Sequence, residues 1–136
     1  MKGRAFLGAA RDMAAATTED RWRTAVGRAY YALMLEGREA LRRWGFALPP
    51  RHNVHTFVRL RLLFAADPDL KAIGNALDRL VGWRNQADYD LAASPRFASN
   101  RTALQAIAIA QDALDLLDRI DGDPARRAVA IAAIRP

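Results

Sequence analysis

The chain has 136 residues and a net charge of +6, from 21 Lys or Arg against 15 Asp or Glu. It contains no cysteine, which excludes disulfides and thiolate chemistry, and its 51% hydrophobic and 26% charged residues are the balance of a folded domain. No apolar run approaches the roughly 20 residues of a membrane span. The short apolar patch after Met1-Lys2-Gly3-Arg4 is soon interrupted by Arg11 and Asp12. One cytoplasmic domain over 1–136 without membrane contact is expected, with its core at about 19–120 and a tail or short helix at 121–136.

A first helix is predicted over about 2–16, with Phe6, Leu7, Ala10, Met13 and Ala14 on one side. Thr17-Thr18-Glu19-Asp20 reads as a break and an N-cap with acids in the first turn. The second helix runs over about 19–44 on a stripe of Trp22, Val26, Ala29/Tyr30, Leu33, Ala40/Leu41 and Trp44. Gly45 and Pro49-Pro50 end it. A third helix follows over about 51–66, with Val54, Phe57, Val58, Leu62 and Leu63 apolar.

Asp67-Pro68 restarts the chain, an N-cap followed by proline at the first helical position. The fourth helix carries a seam of Leu70, Ile73, Leu77, Leu80, Arg84, Ala87 and Leu91, spaced alternately three and four. Arg84 thus stands where a leucine belongs, with Asp88 one turn later as its natural partner. Ser94-Pro95 marks a connection with a short turn. The fifth helix, about 101–120, is apolar over a wide arc of Leu104, Ile107, Ala108, Leu114 and Leu117, as in a bundle centre or a dimer interface. After Asp121-Gly122-Asp123-Pro124 comes a short apolar tail that packs on the body, packs on a partner or frays. With no strand alternation, the fold class is all-α: an up-and-down bundle of four main helices with short additional ones.

Apart from Lys2 and Lys71, every basic residue is arginine, and six crowd between Arg38 and Arg61: Arg38, Arg42, Arg43, Arg51, Arg59 and Arg61. They face one acid, Glu39, with His52 and His55 in the same stretch. Such a patch attracts polyanions, although cations at a helix C-terminus account for Arg42 and Arg43 by themselves. His52 and His55 stand at i, i+3 with no thiol and no nearby carboxylate, so no metal site is expected. No glycine-rich phosphate loop occurs, and no cofactor is implied.

Two polar and aromatic segments remain. Arg28-Ala29-Tyr30-Tyr31-Ala32 puts Arg28 and Tyr31 at i, i+3, with Tyr30 on the core stripe. Trp83-Arg84-Asn85-Gln86-Ala87-Asp88-Tyr89 closes the fourth helix. Facing each other, they would gather two arginines, an aspartate and two tyrosyl hydroxyls in one pocket between helices. The plainer reading is tyrosines packed at the core edge beside a register-fixing ion pair.

At these residues the sequence resembles the HEPN domains, a helical nucleotide-binding family. The shared order is Tyr30-Tyr31-Ala32 on a long helix, His52 or His55 in the next, then Arg84 through Asp88-Tyr89, over about 19–120. The resemblance implies a HEPN-like bundle that forms a homodimer with a cleft at its interface. Many relatives are metal-independent ribonuclease toxins paired with a nucleotidyltransferase antitoxin. Their motif is Arg, a polar residue, and a His separated from the Arg by four to six residues. Arg84 and Asn85 match, but the His positions hold Tyr89, Asp90 and Leu91.

The expected function is therefore a nucleotide- or RNA-binding module without the usual catalytic His, acting in a toxin–antitoxin or nucleotidyltransferase-associated system. Arg28, Tyr31, Arg84, Asn85 and Asp88 would bind the ligand. The alternatives are an active ribonuclease that draws on Arg84, Asn85, Asp88, Tyr89 and His52 or His55, and a non-enzymatic helical adaptor.

Overall fold

The computed structural model describes residues 1–135. Six α-helices follow one another, α1 (Ala5–Ala14), α2 (Glu19–Arg43), α3 (Val54–Leu63), α4 (Pro68–Tyr89), α5 (Arg101–Asp121) and α6 (Pro124–Ala132). Single 3-10 turns precede α3 (Arg51–Asn53) and α5 (Pro95–Phe97). No strand occurs among the described residues. The all-helical bundle expected from the sequence is present, and no helix is long and apolar enough to cross a membrane among those residues.

The centre is α2, whose Ala25, Val26, Ala29, Tyr30, Leu33, Met34, Ala40 and Leu41 are buried. Helix α1 folds back on it, with Gly3 against Leu35 and Arg4 hydrogen-bonded to Glu36. Helix α5 lies on both, joined by Arg4 to Asp118 and by the Trp44 indole to Asp121. The bundle departs from a strict up-and-down order at one step. The 44–50 segment, turning at Gly45 (φ 96°), carries the chain back so that α3 runs in the same sense as α2. Its start meets Tyr30 through His55, and its end meets Gly37 through Leu62. Helix α3 is also shorter than the predicted 51–66, because Arg51–Asn53 winds as a 3-10 turn and the chain leaves the helix after Leu63.

Asp67 caps α4 as its sequence predicts, accepting from the Asp69 and Leu70 amides at 3.0 Å. Its carboxylate also takes two bonds from Arg126, fixing α6 against the start of α4. The tail therefore packs on the body, with Ala130 and Ile134 buried. The seam of α4 holds through Leu70, Ile73, Leu77, Leu80 and Ala87, but Leu91 lies beyond the helix and is 79% exposed. On α5, Leu104 and Ala108 likewise fall on the open side of the arc.

Candidate functional site

Helices α2 and α4 run antiparallel and meet over the two polar segments. Gly27 faces the pair, where a β-carbon would make only ordinary contacts, 3.9 Å from Asp88 and 4.0 Å from the Arg84 stem. Arg84 emerges on the inner face with 19% of its side chain exposed, and its Nε lies 3.1 Å from Asp88 Oδ2. That Nε–H is not aimed at the carboxylate, so the contact is an ion pair and not an aligned hydrogen bond. The terminal nitrogens donate to the Tyr31 hydroxyl and to Asn85 Oδ1, both at 3.3 Å. These bonds are long for guanidinium donors, which leaves them available to a better acceptor. Tyr30, Tyr31 and Tyr89 surround the guanidinium with ring centres 5.6–5.9 Å away.

Opposite Arg84 stands His55, whose Nδ1 is 2.8 Å from the buried Tyr30 hydroxyl. Burial pushes the Tyr30 phenol up to about 12, so it stays protonated. Burial first, and then the positive charges of Arg84 and Arg38, hold the His55 imidazole below its usual range and so neutral near neutral pH. These groups open onto a cleft of about 510 Å³. Its wall comprises Tyr30, Tyr31, Met34, Leu35 and Arg38 of α2, Arg51 and His52 of the turn, Val54 and His55 of α3, and Val81, Arg84 and Asn85 of α4. Three arginines and two histidines line it, and no carboxylate does.

Arg84, Asn85, Tyr31, His52 and His55 thus share one cleft, while three other candidates lie around it. Asp88 touches the cleft through Arg84. Tyr89 is 74% exposed beyond the lining, with its ring beside Arg84. Arg28 turns away, its guanidinium 5.3 Å from the Phe6 ring and 5.9 Å from that of Tyr31. The basic patch is also weaker than its sequence suggests. Glu39 pairs with Arg38 and Arg42, Asp121 with Arg43, and Asp78 with Arg59. Two of these acids come from α4 and α5 and are invisible in a local count.

A larger cavity of about 840 Å³ lies between α1, α2 and α5, with Arg38 and Leu35 common to both. Its arginines are paired with carboxylates, Arg4 with Glu36 and Asp118 among them, so it presents little free charge. Among the described residues, no three His, Cys, Asp or Glu gather to hold a metal ion.

The reading from sequence passed over Arg23. It is 8% exposed and donates to the carbonyls of Gln86, Ala87 and Asp90 and, from its other terminal nitrogen, to that of Ala92. Its Nε bonds Glu19, and its plane lies 4.4 Å from the Phe97 ring centre. It closes the C-terminal end of α4, which has no basic residue in its last turn. The spacing Arg23, Val26, Tyr30, Leu33 is the signal that would have exposed it, the same three-four alternation that singles out Arg84. No family model, curated protein or solved structure matches the chain.

Proposed function

We propose that the cleft is an anion site for the phosphate of a nucleotide or RNA, and that the chain is a HEPN-like binding module. The observation that carries this reading is a concave wall with three arginines and two histidines and no carboxylate. Arg84 is the principal phosphate contact, Asn85 a neighbouring hydrogen-bonding group, and Arg38 and Arg51 widen the positive field. Asp88 aligns Arg84 from outside. On the resemblance, the module works as a homodimer beside a nucleotidyltransferase-type partner in a toxin–antitoxin setting. Fluorescence anisotropy with labelled RNA tests it. Arg84→Ala should weaken binding about tenfold or more, the loss expected for a charged hydrogen-bonding group. Equal binding by the variant would remove the reading.

One observation favours an active ribonuclease as the second reading. His55, kept neutral and oriented by Tyr30, faces the same cleft as Arg84. A neutral imidazole can accept the proton of an attacking hydroxyl while Arg84 stabilises the phosphoryl charge. Growth arrest on expression, relieved by Arg84→Ala, would favour that reading over the first.

A further inference from the structure

The charge around the cleft is incomplete in a specific way. Arg84 is matched by Asp88, and Arg38 shares Glu39 with Arg42. Arg51 is the one lining arginine without an ion-pair partner among the described residues. With His55 neutral and Glu39 shared between two arginines, the wall carries between one and two uncompensated positive charges, which balances a phosphodiester fully and a dianion only in part. A phosphomonoester is a dianion near neutral pH, since its second pKa lies near 6.

The second charge has a built place. Tyr30 holds His55 Nδ1 at 2.8 Å, and a hydroxyl can donate to that nitrogen or accept from it. The contact can thus persist whether the imidazole is neutral or protonated. The other ring nitrogen, Nε2, has no partner in the protein and is not sealed from solvent. The charged or titratable groups around the ring are Tyr30, Tyr31 and Arg38 from α2, Arg51 and His52 from the preceding turn, and Arg84 from α4, with Arg59 of α3 acting on Tyr30. No carboxylate among the lining residues competes for the proton.

We infer that the cleft selects a terminal phosphomonoester dianion and takes up one proton from solvent onto His55 as it binds. In the bound state Nδ1–H donates to the Tyr30 oxygen and Nε2–H to the phosphate. Burial and then the fields of Arg84 and Arg38 hold the free imidazole below its usual range, and the dianion offsets the second of these causes. The inference rests on the phosphate reading above and adds the ligand class. A free nucleotide and the phosphorylated end of a strand present the same chemistry.

Calorimetry near neutral pH, in two buffers of different ionisation enthalpy, tests it with adenosine monophosphate and cyclic adenosine monophosphate as probes. The monoester should bind about tenfold more tightly than the cyclic diester, one extra charged contact's worth. Its binding should take up most of one proton. His55→Gln should abolish the uptake, and Tyr30→Phe, which removes the acceptor for Nδ1–H, should reduce it. Oligonucleotides ending in phosphate or in hydroxyl separate the two sources: tighter binding of the phosphorylated strand assigns a strand end, and tighter binding of the mononucleotide assigns a free nucleotide. Equal affinity for monoester and diester, no proton uptake, or uptake that survives in His55→Gln would overturn the inference. If binding under those results still depends on Arg84, the phosphate cleft itself stands. If no probe binds in an Arg84-dependent way, the cleft reading fails as well.

Discussion

An arginine on the inner face of a helix must recover its lost hydration, and Arg84 does so only in part. Asp88 sits beside it with 40% of its side chain exposed, and its two hydrogen bonds are long. So loosely held a guanidinium adds little to stability. Arg84→Met should therefore leave the melting temperature within about 3 °C of the parent, less than 1 kcal/mol, while nucleotide binding is lost. Thermal unfolding beside a binding isotherm checks this, and a collapse in stability would make the pair structural. The position of Arg84 was legible because one charged residue interrupts an apolar alternation. Arg28 was not, because an exposed helical arginine can lie over either neighbouring face, and Phe6 of α1 supplied the ring that drew it away.

Elements position the cleft through two contacts that leave weak marks in the sequence. Gly74 lies so near α3 that a β-carbon there would come within 2.3 Å of the Leu63 backbone nitrogen and 2.4 Å of its Cα. Gly74→Ala must push α3 and α4 apart, at a cost of about 2 kcal/mol or more, read as a fall in melting temperature of roughly 6 °C. Because α3 carries His55 and α4 carries Arg84, ligand affinity should fall with it. Arg23 acts at the other end, where one side chain engages four carbonyls around the exit of α4. Arg23→Met should cost about 3 kcal/mol, since those acceptors and Glu19 lose their charged donor. Amide exchange should then quicken first in the last turn of α4. Helix boundaries with chemical punctuation, such as Asp67-Pro68, were readable to the residue. The direction of α3 was not, because the 44–50 connection sets it and no periodicity encodes a path through a loop.

For the whole molecule, acidification removes stability in two stages. The folded-state pKa of His55 lies below its unfolded value, so the unfolded chain binds the extra proton first and stability falls as pH drops below about 6.5. The carboxyls of Asp67 and Asp118 are held below the usual range, chiefly by hydrogen bonds from Arg126 and Arg4. Their contribution is complete above about pH 4 and disappears as pH falls through their folded values. Urea midpoints across this range should show both steps, the first absent in His55→Gln and the second smaller in Arg126→Met. At the same scale, binding should weaken with salt, because Arg38, Arg51 and Arg84 release counterions from a polyanion. The all-helical architecture was open to sequence reading because nearly every segment carries a 3.6-residue apolar period. The cleft was only partly so, because acids that α4 and α5 bring from far along the chain neutralise Arg59 and Arg43 of the basic patch and leave the cleft its own smaller set of arginines.

The most direct test of the central claim, that the cleft binds phosphate without cutting, is one experiment on purified protein and Arg84→Ala side by side. Labelled RNA is incubated with each in a metal chelator, and cleavage and binding are read from the same samples. The expected result is intact RNA with both proteins, bound by the parent and released by Arg84→Ala. RNA cut by the parent and spared by the variant would contradict the claim and make Arg84 and His55 a metal-independent nuclease, and binding that ignores Arg84 would take the function out of this cleft altogether.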